Sequence, residues 1–274
     1  MPEGLRASPR GFDVIGSIAL VEFRRNETRM QKKAFACALM EKNHGIRTVL
    51  ERVSDHEGKY RLPKVKGVGG KRTMETIHVE HGCRFHVRMD KAYFSPRLST
   101  ERMRIAGQVK PGEVVGVLGA GVGPFPIILG KKTHAEKIIG FEWNPVACTL
   151  MRENIALNRL DDRVSVVQGD ARRTYKKFMQ ACDRIVLALP FNSLELFPCA
   201  LACLKPNGGR VHFYGFSSKK PGMFSWPLKE LKALAYTKRF SIQCKSMRIV
   251  RNVASSRVQI ALDLKVAPLR MRNH

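Results

Sequence analysis

Acidic residues are scarce in this chain: 23 Asp and Glu stand against 49 Lys and Arg in 274 residues, a formal charge of +26. An imbalance of this size disfavours a basic partner and points to a polyanion, most often nucleic acid. No apolar stretch approaches the roughly 18–20 residues needed to cross a bilayer, so no membrane-spanning helix and no membrane partner are expected. Cysteine is present but unorganised. The seven cysteines, Cys37, Cys83, Cys148, Cys182, Cys199, Cys203 and Cys244, are odd in number and include no C-x-x-C pair. That speaks for a reducing compartment and against a disulfide framework. A secretory leader is not expected either, because MPEGLRASPR has arginines, a serine and Glu3 but no apolar core; it is only weakly like the end of a transit peptide.

Hydrophobic residues make up 44% of the chain, enough to bury a core, which excludes a wholly disordered basic tail. At about 100–200 residues per domain, one larger and one smaller domain are expected. The charge is unevenly spread: residues 1–110 carry a net +11, residues 111–216 a net +4 and residues 217–274 a net +11. A near-ordinary middle is thus flanked by two basic regions, as expected if a small-molecule site lies in the middle and a polyanion is held from the flanks.

In the first flank, GFDVIGSIALVEF (11–23) reads as a strand and RMQKKAFACALMEKNHG (29–45) as a helix stopped at Gly45. KYRLPKVKGVGGKR (59–72) reads as a basic loop, and TIHVEHGCRFHVRMD (76–90) alternates as one or two strands. These make a small basic α+β domain over residues 1–95, expected to bind RNA. Residues 96–268 form a second domain, followed by a basic tail, 269–274. Here strand and helix signals alternate, which implies an α/β fold with a parallel sheet. Residues 112–130 read as an apolar strand, a Gly-rich turn and a helix start; further strands are expected at 138–142, 164–171, 184–190 and 209–216, helices at 146–160, 193–209 and 226–236, and a final antiparallel hairpin after that. Nucleotide-dependent methyltransferases close their Rossmann-like sheet with such a hairpin; dehydrogenase domains do not.

The turn Gly119-Ala120-Gly121-Val122-Gly123 follows an apolar strand and opens a helix, so a nucleoside cofactor can approach its backbone. The dinucleotide pattern G-x-G-x-x-G fails, since its third glycine would be Pro124 or Pro126. The turn therefore suits S-adenosylmethionine better than NAD, there being no pyrophosphate to seat. Glu142 ends the next strand, where a carboxylate can accept both ribose hydroxyls, and Asp170 with Ala171 ends the third, where an Asp can accept the adenine amine.

The run Tyr93-Phe-Ser-Pro-Arg97-Leu-Ser-Thr-Glu101-Arg102-Met-Arg104-Ile, followed by VKPGEVV, GAGVGPF, ENIALN, GDAR and LKPNGG, resembles the archaeal and eukaryotic tRNA (guanine-N1)-methyltransferase family. The related wybutosine-pathway aminocarboxypropyl transferase shares its architecture. The resemblance covers about residues 11–266. It implies a class I methyltransferase fold, S-adenosylmethionine as cofactor, and methylation of the purine 3′ of the tRNA anticodon. Carried over to this chain, it makes Glu101 the base at guanine N1, Arg61 the cation assisting at the guanine, and Tyr93 and Arg97 residues at the cofactor and RNA side of the cleft. Leu189 and Pro190 join the cofactor set. A helix through 97–106 would bring Arg97 and Glu101 onto one face. A separate tRNA-corner domain of many members is expected to have no room in this sequence.

Two positions depart from the family. Its first strand ends in an Asp within D-M-F-A-G, where this chain has Val117 and, for the Phe, Gly119. Its N-L-P after the fourth strand is here Ala188-Leu189-Pro190, leaving Asn192 as the next amide that could orient a base. The second reading is therefore a methyltransferase fold retired from catalysis, its cofactor site unfilled, held on ribosomal RNA with ribosomal proteins as a mitochondrial ribosome component or assembly factor. The enzyme reading leaves cytoplasm or nucleus open, and aminocarboxypropyl transfer is a third possibility.

The expected RNA face is built from Arg24, Arg25, Lys64, Lys66, Lys71, Arg72, Lys219, Lys220, Lys238 and Arg239, with Tyr60, Phe213, Tyr214 and Trp226 interleaved. No metal site is expected: His78, His81, Cys83 and His86 alternate along a strand and diverge. Cys199 and Cys203 share a helical face with Leu196 and read as packing residues.

Overall fold

The computed structural model describes residues 9–54, 58–60 and 62–269. The first unit is a four-stranded sheet of order β1-β2-β3-β4, built from β1 (Gly11–Ile15), β2 (Ile18–Glu22), β3 (Thr48–Arg52) and β4 (Val65–Gly70). The apolar run 11–23 is thus a hairpin rather than one strand, turned at Gly16 (φ +54°), where an added Cβ would lie 2.3 Å from the Ile77 carbonyl oxygen. Helix α1 (Arg29–Lys42) carries the chain from β2 to the parallel β3. It starts at a capping box, Thr28 accepting from the Gln31 N–H and Gln31 from the Thr28 N–H, and buries Ala36 and Leu39 against Val21, Phe23 and Val49. Two strands differ from the expectation. Thr48–Arg52 was hidden among charged neighbours, and the basic loop contains β4, whose glycines let it pass close to Ala36.

A two-stranded hairpin, β5 (Glu75–Glu80) and β6 (Cys83–Arg88), follows. The chain then runs through a 3-10 turn (Pro96–Leu98) into α2 (Ser99–Ala106). The large sheet contains β7 (Val114–Leu118), β8 (Lys137–Glu142), β9 (Val164–Gln168), β10 (Arg184–Leu187), β11 (Gly209–Ser218), β12 (Phe240–Ala254) and β13 (Arg257–Pro268). Its order is β12-β13-β11-β10-β7-β8-β9, parallel from β9 through β11, with β13 antiparallel to both β11 and β12. The parallel sheet and closing hairpin expected from sequence are both present. Its connecting helices are α3 (Pro124–Lys132), α4 (Pro145–Leu157), α5 (Ala171–Thr174), α6 (Ser193–Cys203) and α7 (Ser225–Thr237).

The ENIALN motif has a structural explanation. Asn154 on α4 and Asn158 at its C-cap lie one turn apart, both buried, and each carboxamide pairs with a residue of β6 as a strand would. Asn158 accepts from the Arg84 N–H (2.9 Å) and donates to its carbonyl (2.7 Å); Asn154 does the same at His86 (2.6 and 3.1 Å). The hairpin edge is thereby satisfied without a further strand. A second link is the buried pair Arg102–Glu80, in which Nε and Nη2 donate to the two carboxylate oxygens at 2.6 and 2.5 Å. Burial pushes the Glu80 carboxyl up, but hydrogen bonds from His78 and Arg102 and the Arg102 charge outweigh it and hold it at about 2.

Candidate active site

The strand order reverses at β7 and β10, and the crevice outside their carboxyl ends is where an open α/β sheet binds its ligand. A cavity of about 630 Å³ lies there. Its lining includes Gly119, Gly121, Glu142, Asp170, Ala171, Leu189 and Pro190, all expected from sequence to hold the cofactor. Gly119 has φ +78° and lies so close to Leu189 that an added Cβ would stand 2.0 Å from Cγ. At Gly121 (φ +58°) nothing lies nearer than the Tyr93 carbonyl oxygen at 3.5 Å, so the turn keeps one open, side-chain-free edge. Gly123 does not line the cavity; in the left-handed conformation it caps α3 and packs on Met151.

Glu142 fixes this turn. Its two carboxylate oxygens accept from the N–H groups of Gly121 and Asn144, both at 2.8 Å. Burial raises its pKa, partly countered by those backbone hydrogen bonds. Asp170 caps α5, accepting from the Arg172 N–H at 2.9 Å, and is also gripped by the Arg172 guanidinium at 2.6 Å, which lowers its pKa. The sequence reading missed Trp143, which lies beside Glu142 with Lys59 Nζ 4.3 Å and Arg172 Cζ 5.7 Å from its ring centre and Tyr60 edge-on at 6.3 Å. The signal was the aromatic next to the strand-end acid.

Glu101 does not line this cavity. It is buried on α2, accepting from Arg104 Nε at 2.9 Å and from the Tyr214 hydroxyl at 2.9 Å. Arg104 in turn binds Asp263 at 2.5 Å, and Asp263 contacts Nδ1 of His212 at 2.7 Å. Nε2 of His212 meets Arg184 Nη1 at 2.7 Å, and Arg184 binds Glu113 at 2.7 Å. An arginine can only donate, so His212 accepts at Nε2 and keeps its proton on Nδ1. Its neutrality agrees with the lowered pKa that burial gives it, against the pull of Asp263. Three carboxylates therefore face two guanidinium groups along the chain. One carboxylate is uncompensated.

The row order places this chain beside the cavity. Tyr214 pairs with Ala261, and Ala188 follows Leu187, the partner of Phe213, so Ala188 and Tyr214 share a row on one face. Ala188 lines the cavity. Arg97 is not on the Glu101 face: it sits in the 3-10 turn before α2 and binds Asp13 at 2.6 Å, while Leu98 and Tyr93 reach the cavity wall. The expected Arg97–Glu101 pairing gives way to Arg104, one turn later, because α2 starts only at Ser99. Arg61 lies outside the described residues, though Lys59 and Tyr60 reach the cavity. Asn192 lines the cavity, with one N–H of its Nδ2 donating to Glu195 at 3.0 Å.

The ten cations expected to meet RNA are all exposed, but not on one face. Lys219 and Lys220 follow the carboxyl end of β11, on the cavity side; Lys238 and Arg239 precede β12, at the opposite end of the sheet. Phe213 and Tyr214 are buried core residues, 4% and 2% exposed, and so leave the RNA face; Trp226 stays on the surface at 61%. The histidines of the β5–β6 hairpin part company: His86 lies between Glu75 and Glu153, His81 in the turn meets Ser99, and His78 accepts from the Gly16 N–H.

The sheet order, closing hairpin and glycine cradle define a class I methyltransferase fold, and the Glu142 carboxylate beside an open glycine edge suits the nucleoside part of S-adenosylmethionine. Residues 76–243 match the TRM5/TYW2 methyltransferase domain and residues 1–73 the TYW2 N-terminal domain. The chain belongs to the TRM5/TYW2 methyltransferase family. It is 36% identical to the tRNA (guanine(37)-N(1))-methyltransferase Trm5b of Pyrococcus abyssi, over 97% of this chain and 78% of that one. A solved complex of aTrm5 with tRNALeu superposes with a TM-score of 0.81 at 29% identity, covering 95% and 72% of the two chains. The TYW2 of Pyrococcus horikoshii in complex with MeSAdo superposes with a TM-score of 0.83 at 26% identity, covering 97% and 95%.

Proposed function

We propose that this protein is an S-adenosylmethionine-dependent methyltransferase that modifies N1 of guanine 37 in tRNA, as its relative Trm5b is named for doing. The observation that carries the reading is the juxtaposition of two sites across one sheet row: the cradle of Gly119, Gly121 and Glu142, and the buried Glu101 held by Tyr214 beside Ala188. S-adenosylmethionine bound in the cradle supplies an electrophilic methyl group. Glu142 orients the ribose, the cavity walls exclude water, and Glu101 takes the N1 proton of a guanine flipped out of the anticodon loop. The uncompensated carboxylate of the buried chain gives that proton a place to go. Exposed cations at Lys219 and Lys220 hold the RNA backbone near the cavity mouth. Arg61, next in sequence to Tyr60 and outside the described residues, is assigned to the guanine by resemblance alone.

Methyl-labelled cofactor and an unmodified tRNA transcript test this, with 1-methylguanosine identified in the digest. The expected result is transfer to a G37 transcript and its loss in Glu101→Gln with cofactor affinity intact. Cofactor binding without any transfer would sink it. The match of residues 1–73 to the TYW2 N-terminal domain favours, as a second reading, transfer of the aminocarboxypropyl group at the same site. Label in the methyl or in the aminocarboxypropyl carbons separates the two. The ribosomal-RNA reading draws no support from the relatives reported above.

A further inference from the structure

We propose that Gln259, on the closing hairpin, reads the O6 edge of the target guanine. This rests on the tRNA methyltransferase reading above and adds a specificity residue that neither the glycine cradle nor Glu101 supplies. Gln259 lines the cavity, yet it is 1% exposed. Its Oε1 accepts from Arg251 Nε at 2.8 Å, on the neighbouring strand. The guanidinium can only donate, so it fixes the carboxamide with Nε2 turned away from it. That Nε2 has no protein hydrogen-bond partner among the described residues, and it is not one of the side-chain atoms sealed from solvent without a partner. A buried amide with this N–H unpaired at a cavity wall is a donor held ready for an acceptor that enters there, in place of water.

The surroundings specify a nucleobase. Phe216 pairs with Gln259 across the sheet, and its ring lies 4.5 Å from that of Phe191, which is 48% exposed at the cavity rim. The Arg257 guanidinium sits 4.6 Å from the Phe216 ring centre, so an aromatic and cationic platform borders the amide. The next same-face row towards the core holds Ala261 and Tyr214, the tyrosine that binds Glu101. Rows two residues apart are spaced by about 7 Å. Gln259 and the Glu101–Tyr214 pair therefore stand on adjacent rows of one sheet face, the order in which two neighbouring edge atoms of one base would meet them. Guanine offers such a pair, the N1 proton for Glu101 and the O6 acceptor for Gln259. Adenine would turn an amino group towards the Nε2 donor. Ala188 on the same wall has no polar group to share this task.

The test uses the full chain in single-turnover methyl transfer to tRNA transcripts carrying guanosine or inosine at position 37, with cofactor and tRNA affinities measured in parallel. In Gln259→Met the rate should fall about 10²-fold, equally for both transcripts because inosine keeps O6 and the N1 proton, while both affinities stay within about twofold. Gln259→Glu, which keeps size and the Arg251 contact but faces O6 with an acceptor, should fall at least as far. Arg251→Met, which frees the carboxamide to rotate, should lose less, and Arg251→Lys should restore most of the rate. Unchanged turnover in Gln259→Met would overturn the proposal, as would a loss confined to guanosine or one matched by an equal loss of cofactor affinity. A wild-type chain that transfers nothing would instead overturn the functional reading beneath it.

Discussion

The Glu142 carboxylate is the sharpest test of the cofactor site, because its two jobs respond differently to charge. It accepts from the Gly121 and Asn144 N–H groups at 2.8 Å each, and its remaining lone pairs are those available to ribose hydroxyls. In Glu142→Gln one oxygen becomes an amide NH2, which can only donate, so one backbone donor or one ribose hydroxyl loses its acceptor and the other keeps only a neutral one. A hydrogen bond to a charged group contributes about 1.5–3 kcal/mol, so S-adenosylmethionine should bind roughly 10- to 100-fold more weakly. Burial raises the Glu142 pKa above its ordinary 4.5. The sign follows: in the free protein the carboxyl takes up its proton at a higher pH than in the unfolded chain, so the ionised form opposes folding above that pKa. The opposition is relieved as pH falls through the raised value. Cofactor binding needs the ionised form, so affinity should run the other way, weakening by up to about tenfold per pH unit below the raised pKa. Titration calorimetry from about pH 8 down to about pH 5, in buffers of different ionisation enthalpy, should show proton release on binding at the acid end. Glu142→Gln should abolish both the release and the slope. A pH-independent wild-type affinity, together with an unaffected variant, would refute the assignment.

Four further outcomes are expected. Arg102→Met strands the Glu80 carboxylate in the interior and should cost about 3–5 kcal/mol, a fall in Tm on the order of 10 °C by differential scanning calorimetry. Because Glu80 is held at about 2 in the folded chain, wild-type stability from this pair should be present above about pH 4.5 and be lost as pH falls from there towards 2. Gly119→Ala combines a left-handed φ with a Cβ 2.0 Å from Leu189; it should weaken cofactor binding in calorimetry well beyond Gly121→Ala, which meets nothing closer than 3.5 Å. Tyr214→Phe removes a hydroxyl from Glu101 and should lower the single-turnover rate about tenfold with cofactor affinity unchanged. Charge reversal at Lys219 and Lys220 should weaken tRNA binding and flatten its salt dependence more than reversal at Lys238 and Arg239, measured by filter binding across a salt series.

How much of this was legible in the sequence depended on how local the cause was. The cradle was legible because a turn that must expose backbone writes its need into glycines, and Glu142 and Asp170 because strand ends have a fixed place in an α/β sheet. The hairpin at Gly16 and the strand β4 were not, since alternation is masked where an apolar run is buried on both faces or where lysines edge a sheet. The Arg97–Glu101 pair failed because helical spacing alone does not say where the helix starts. Asn154 and Asn158 were visible as a motif, but their reason, a β edge supplied from residues about seventy positions earlier, is purely tertiary.

Val117 and Ala188, the two departures from the family pattern, acquire different meanings once placed. Val117 is fully buried in the row that runs through Val186 and His212 to Asp263. An acid there would add a further carboxylate to an interior that already holds one more carboxylate than guanidinium, and its absence leaves Glu101 as the carboxylate of that chain nearest the cavity row. Ala188 leaves the cavity wall without the amide of the family pattern, while Gln259, held by Arg251, lines the same cavity from the closing hairpin. Two side chains that face one base should substitute for each other, so restoring the family residue by Ala188→Asn should rescue Gln259→Met at least in part, read as single-turnover rate on G37 tRNA. Failure of that double variant to exceed Gln259→Met, with both cofactor affinities equal to wild type, would show that the two positions do not serve the same base.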